Sequence, residues 1–169
     1  MPTAGLQRVR ALREDRGQSI VEFALMLPIL VFGLIGGSDL ARAFAIQLAI
    51  QNGARSGAEA AAIAQAPIVS LASAKAVDEI SRTPYLQATQ STVDVKFKQS
   101  DGTTDCTPPT VNTPCFVTVR VRYTFNTIIP WPVIPNTANF DRSTTIRTVA
   151  GPVDGVSTCT KPAGSTTCN

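Results

Sequence analysis

The sequence predicts an α+β protein. One long N-terminal helix, part transmembrane and part stalk, carries a second short helix and a small antiparallel sheet head with disulfide-bonded loops. Three observations predict it. A single apolar run near the N-terminus is followed by an alanine-rich stretch free of proline, the hydrophobic spacing changes to a period of two after Pro84, and all four cysteines fall in the period-two part. A chain of 169 residues has room for one domain and an appendage, and the expected division is 1–17 leader, 18–66 helix and 67–169 head.

Residues 1–17 hold Pro2, Gly5 and scattered arginines without a sustained apolar face, which reads as a flexible cytoplasmic leader. Arg8, Arg10, Arg13 and Arg16 against Glu14 and Asp15 account for most of the net charge of +3, so the chain beyond Gly17 is near neutral. Nucleic acid is therefore not an expected partner, because the head has no basic patch to neutralise phosphates. The absence of histidine removes the commonest general base and metal ligand. Acids and hydroxyls are plentiful but ungrouped, so the expectation is a non-enzyme without cofactor or metal.

The run 20–38 has one charge, Glu22 at its edge, and as a helix rises roughly 28 Å, close to the ~30 Å of a hydrocarbon core. Arginines before the run and no positive cluster just after it place the N-terminus inside. Continued to Ala66, the helix would reach roughly 73 Å, loosened or kinked at Pro28. The competing fate is removal of the run at an A-x-A site, Ala41-Arg42-Ala43 or Ala43-Phe44-Ala45, although Asp39 and Arg42 put charge where such a site wants small neutral residues.

Small residues recur at every fourth position, Gly33, Gly37, Ala41, Ala45, Ala49, Gly53, Gly57 and Ala61. Such a ridge lets helices approach closely, and because it drifts about 40° per step it meets several neighbours rather than one. Plain alanine-rich composition produces the same pattern. Arg55 with Glu59, and Asp39 with Arg42, have the spacing of solvated contacts along a helix.

Pro67 interrupts, and 68–82 reads as a second helix with Ile68, Leu71, Ala72, Ala76 and Ile80 near helical spacing, closed by Thr83-Pro84. Strands come next. Val93, Val95 and Phe97 alternate with charged residues, as do Val117, Val119, Val121, Tyr123 and Phe125 with Thr118, Arg120, Arg122 and Thr124; 142–149 gives a third, less regular run. Such a sheet has one dry and one wet face, and the helices are the obvious cover for the dry one. Between the second and third strands, Ile128-Ile129-Pro130-Trp131-Pro132-Val133-Ile134-Pro135 is barred by its prolines from helix and central strand. It either folds back on the sheet edge or contacts a partner subunit.

Cys106, Cys115, Cys159 and Cys168 all lie beyond the apolar run, in loops rich in Thr, Pro and Gly. An even number in a segment expected outside the cytoplasm argues for two disulfides. A four-cysteine zinc site wants ligands two to four residues apart within each half, which neither half offers. Of three connectivities, Cys106–Cys115 with Cys159–Cys168 closes the two short proline-containing loops.

Arg16-Gly17-Gln18-Ser19-Ile20-Val21-Glu22-Phe23-Ala24-Leu25-Met26-Leu27-Pro28-Ile29-Leu30, with Asp39, Arg42 and Gln51-Asn52-Gly53-Ala54-Arg55-Ser56-Gly57-Ala58, resembles the N-terminal region of the TadE-like pseudopilins of the tight-adherence (Flp, type IVb) pilus system. The resemblance spans 16–62 and implies a pilin-like fold and an assembly subunit rather than a catalyst. It implies cleavage by a membrane prepilin peptidase after Gly17, with Gln18 the new N-terminus, and partners among other pilin or pseudopilin subunits, the assembly machinery and the membrane. Glu22 then neutralises the freed α-amino group of its own or a neighbouring subunit; alternatively it is a first-turn glutamate favoured by the helix dipole. The head is expected outside the inner membrane, periplasmic or extracellular. The other function class is a membrane-anchored or secreted extracytoplasmic binding module whose disulfide-bonded sheet takes a ligand.

Overall fold

The computed structural model describes residues 4–64, 68–84, 86–87, 90–106, 114–130, 134–152 and 158–162, with the backbone alone described over 4–16 and 161–162. The elements are α1 (Ala4–Ile63), α2 (Val69–Ser81), β1 (Ser91–Gln99), β2 (Cys115–Asn126), β3 (Thr137–Arg147) and β4 (Thr158–Pro162). They fall into two compact units, Met1–Ala41 and Arg42–Asn169, divided inside α1.

The leader is not the flexible segment that its composition suggests. α1 is already helical at Ala4 and passes through Gly5, Gly17 and Pro28 to Ile63. Ala, Leu, Gln and Arg dominate its first turns, and their propensity outweighs a glycine at about 1 kcal/mol each. α1 also stops three residues short of the expected Ala66, since the residue before a proline avoids helical backbone and Pro67 therefore disfavours the last turn. α2 matches expectation closely, with Ile68 and Arg82 as its caps.

In the first unit the apolar side chains of α1 have no protein cover. Ile20, Val21, Phe23, Leu25, Met26, Ile29, Leu30, Phe32 and Leu34 are all exposed. A helix that is apolar on every side and unburied fits a lipid environment. This stretch of α1 is long and apolar enough to cross a membrane, with a mean hydropathy of 2.2.

In the second unit the same helix becomes one-sided. Ile46, Ile50, Ala54, Ala58, Ala61 and Ala62 form a buried stripe at helical spacing, packed with Val69, Ala72, Ala76 and Ile80 of α2. Both helices cover the inner face of the sheet, built from Val93, Val95, Phe97, Val117, Val119, Val121, Tyr123 and Phe125. The dry face and its cover are as the alternation predicts.

The sheet is antiparallel in the order β3-β2-β1-β4. The fourth strand departs from expectation. Thr158–Pro162 carries no alternation, and its cysteine reads as a loop residue, yet it pairs with β1 so that Val95 lies opposite Cys159. The open edge of β1 supplies the hydrogen-bonding partner that a five-residue strand needs, and a sequence pattern does not record an edge.

On the outer face, register sets Asp94 opposite Arg120 and Arg122 opposite Asp141. The ion pairs form on the diagonals instead. Arg120 grips Asp141, with Nε 2.8 and 2.9 Å from the two carboxylate oxygens, and Arg122 donates to Asp94 Oδ2. Asp94 is 7 % exposed although it belongs to the wet face.

The β1–β2 connection starts with a tight turn. Asp101 Oδ1 accepts from the Thr103 and Thr104 N–H groups at 3.0 Å each, and Gly102 at φ 71° takes the left-handed conformation that a side chain would resist. Cys106 and Cys115 are disulfide-bonded across this connection, as expected. Cys159 is also disulfide-bonded, whereas Cys168, its expected partner, lies outside the described residues. In the β2–β3 loop, Ile128, Ile129 and Ile134 are exposed rather than folded on the sheet edge. Trp131 lies outside the described residues.

Candidate processing and assembly site

Gly17 and Gln18 sit inside a continuous helix with solvent-exposed side-chain positions. A Cβ placed on Gly17 meets nothing within 4 Å, so this face is open to an approaching chain. A helical Gly17–Gln18 bond has its amide groups in the intrahelical ladder, and an enzyme that cuts it must first unwind the turn. Glycine eases that step by about 1 kcal/mol relative to alanine.

Glu22 lies one turn along. Gln18 Nε2 donates to Glu22 Oε1 at 3.1 Å, the i,i+4 contact that results because helical side chains lean toward the N-terminus. The carboxylate of Glu22 is therefore at the level of Gln18 within one chain.

The small-residue ridge divides. Gly33 and Gly37 have nothing within 4 Å of an added Cβ, and Ala41 and Ala45 are exposed. Further along the ridge is occupied by this chain itself. A Cβ on Gly57 would lie 2.6 Å from the Ala72 carbonyl oxygen and 3.3 Å from Val119 Cγ1, and one on Gly53 would lie 2.6 Å from Ile80 Cγ1. Gly53 and Gly57 thus let α2 and the sheet close onto α1. Sequence spacing signals the close approach but does not identify the neighbour as α2.

The charged pairs also separate. Arg55 and Glu59 form the expected exposed contact, Nε to Oε1 2.5 Å. Asp39 and Arg42 are not solvated in the manner expected: Asp39 is 6 % exposed, and the Arg42 guanidinium sits 5.5 Å above the centroid of the Phe125 ring. Phe125 in turn stacks on Phe140, with centroids 5.7 Å apart. Phe125 becomes a partner for Arg42 only once β2 lies against α1, so sequence alone gives no sign of it.

Sequence reasoning also missed the outer-face charge cluster. A shallow cavity of about 600 Å³ is lined by Asp94, Lys96, Thr118, Arg120, Asp141 and Ser143. The Asp141 carboxyl is held below the usual carboxylate range, chiefly by its hydrogen bond from Arg120. Asp101 is also held below the usual carboxylate range, by the Thr104 hydroxyl and the turn amides. The signal present in the sequence is opposite charge at alternating positions of β1, β2 and β3; register, which decides who meets whom, is not written there. Among the described residues no group of His, Cys, Asp and Glu is arranged to hold a metal ion.

The fold and the exposed apolar helix define a membrane-anchored α+β protein with a disulfide-bonded head. The family comparison narrows this further. Residues 17–59 match the family model described as TadE-like protein, starting at Gly17 itself and agreeing with the resemblance carried by the sequence. The match covers α1 from Gly17 to Glu59 and includes none of the sheet head. Comparison with curated proteins and with solved structures returns no match.

Proposed function

We propose that the chain is a minor pilin or pseudopilin that a prepilin peptidase processes after Gly17 and that then acts in assembly of a tight-adherence type IVb pilus, upstream of adhesion and biofilm formation. The observation that carries this reading is the placement of Glu22. Its Oε1 accepts from the side-chain Nε2 of Gln18 at 3.1 Å, which sets the carboxylate one turn from the α-amino group that cleavage would free. A lone ammonium at the head of an apolar helix is costly in lipid, and a carboxylate one turn away neutralises it. Residues 1–17 act as the cytoplasmic leader, 18–66 as span and stalk, and 67–169 as a head outside the inner membrane. The open ridge at Gly33, Gly37, Ala41 and Ala45 supports packing against helices of other subunits.

The test is N-terminal sequencing of the mature protein together with a Glu22→Gln variant. Processing after Gly17 gives a mature chain that begins at Gln18, and E22Q is cut normally but fails to assemble. Unimpaired assembly of E22Q removes the charge-pairing step. A start near Phe44 or Ile46 supports instead the secreted binding module, to which the outer-face cavity would belong, and an intact leader supports a membrane-anchored module.

A further inference from the structure

The outer face of the sheet carries a polar surface that the processing and assembly site does not use. Register sets Lys96, Thr118 and Thr145 side by side across β1, β2 and β3, and sets Asp94, Arg120 and Ser143 in the next row. Two shallow cavities meet over these rows. The one described above has Asp94, Arg120 and Ser143 in its wall; the other, of about 490 Å³, reaches Lys98, Gln99 and Phe116, and Lys96 and Thr118 line both. Together they follow β1 from Gln99 to Asp94, roughly 17 Å at about 3.4 Å per residue.

The hydrogen-bonding capacity of this groove is only partly used. Arg120 with Asp141, Arg122 with Asp94 and Lys98 with Asp105 are ion pairs, whereas Lys96 and Arg147 form none among the described residues. Lys96 is exposed, so the middle of the groove holds a cation with donors to spare. Beside it, Asp94 is more than nine-tenths buried, and its Oδ1 has no hydrogen-bond partner among the described residues. An orphaned carboxylate oxygen is costly, and the torsion that turns a carboxylate is soft enough to bring Oδ1 round to the cavity that Asp94 lines. The Thr118 and Thr145 hydroxyl oxygens are 2.8 Å apart and share one hydrogen bond, which leaves one O–H and several lone pairs for a ligand.

These groups call for a ligand that brings an anion to Lys96, a donor to Asp94 and hydroxyls to the threonines within one short stretch. We propose that the outer sheet face binds an acidic oligosaccharide, a sugar chain bearing carboxylates. A ring carboxylate pairs with Lys96, a neighbouring hydroxyl donates to Asp94 Oδ1, and further hydroxyls exchange hydrogen bonds with Thr118 and Ser143. A polymer of anionic acceptors alone, such as polyphosphate, leaves Asp94 without a donor and sets its own charge beside Asp94 and Asp141. An extended peptide uses a strand edge or pockets for its side chains, and Phe116 is the one large apolar side chain in either lining. The site lies wholly within the head and stands whether the leader is removed or retained.

The test uses the full chain in micelles of a sugar-free zwitterionic detergent, titrated calorimetrically with a trisaccharide of galacturonic acid, with its neutral galactose counterpart and with polyphosphate. The expected result is saturable binding of the acidic trisaccharide, binding of the neutral one weaker by about tenfold because a charge-assisted hydrogen bond is lost, and no binding of polyphosphate. Lys96→Gln, at an exposed position, lowers the acidic sugar to the affinity of the neutral one and leaves the neutral one unchanged. Thr118→Val keeps a β-branched residue in the strand and weakens both sugars; melting temperature checks that each variant folds. Polyphosphate binding as tight as the acidic sugar, full affinity for the acidic sugar in K96Q, or no saturable sugar binding each overturns the proposal. A mature N-terminus other than Gln18 overturns the processing step and leaves this site standing.

Discussion

Gly57→Ala tests the packing of the head most directly. The new Cβ would stand 2.6 Å from the Ala72 carbonyl oxygen, 3.0 Å from Ala76 Cβ and 3.3 Å from Val119 Cγ1. A comfortable carbon–oxygen separation is about 3.3 Å, so α2 must retreat by roughly 0.7 Å or the α1 backbone must bend. The obstacle is backbone of a packed helix and no rotamer change relieves it. Overpacking of this kind costs about 1–3 kcal/mol, against a gain of about 1 kcal/mol from replacing a helical glycine by alanine. The expected net is a loss of up to about 2 kcal/mol, or a melting temperature lower by up to about 4–8 °C. Gly53→Ala is a companion test, because its Cβ would lie 2.6 Å from Cγ1 of the buried, β-branched Ile80 and 3.0 Å from the Ala76 carbonyl oxygen. G53A is therefore also expected to lose up to about 2 kcal/mol. Thermal unfolding of the detergent-solubilised full chain, followed by near-ultraviolet circular dichroism, reads both variants. G57A melting at or above wild type would refute the close contact between α1 and α2, because then only the propensity gain is expressed.

Two further outcomes concern the head. Replacing Cys106 and Cys115 together by serine opens a loop with a sequence separation of 9, and on the loop-entropy relation lowers stability by about 2.5 kcal/mol in denaturant titration under oxidising conditions; the same titration with reductant should bring wild type down to at least that level. Acid should weaken the head. Asp141 and Asp101 have folded-state pKa values depressed below their unfolded value of about 3.9. Their contributions are therefore complete above that value and are lost as pH falls through the folded pKa. Both side chains are largely solvent-facing and the effect is modest, so the measurable sign is a shallower decline in melting temperature below about pH 4 in a D101N/D141N variant than in wild type.

Much of this protein is legible without coordinates, for reasons tied to particular residues. Hydrophobic period marks 68–82 as a helix and Val93–Val95–Phe97 and Val117 through Phe125 as strands, because burial on one face imposes that period directly. Gly17, Gln18 and Glu22 are recognisable because the motif is local. Gly53 and Gly57 show that something approaches α1 closely, but the identity of the neighbour is a tertiary fact. β4 escaped because a short edge strand owes its existence to the strand beside it. The helical leader is not legible in the sequence because Pro2, Gly5 and arginines without a sustained apolar face carry no helical period, although α1 begins at Ala4.

By itself, then, the sequence determined an exposed apolar helix with a motif at its head, a one-sided continuation and a sheet with one dry face, since each depends only on residues within a few positions of one another. Tertiary structure decided the rest. It placed α2 on the second half of the glycine ridge and left the first half open. It set Arg42 over Phe125, and it joined Arg120 to Asp141 and Arg122 to Asp94 across diagonals rather than in register. These pairings bring together residues far apart in sequence, and which of them meet is fixed by strand register and helix docking, two quantities that side-chain periodicity constrains to a face but not to a partner.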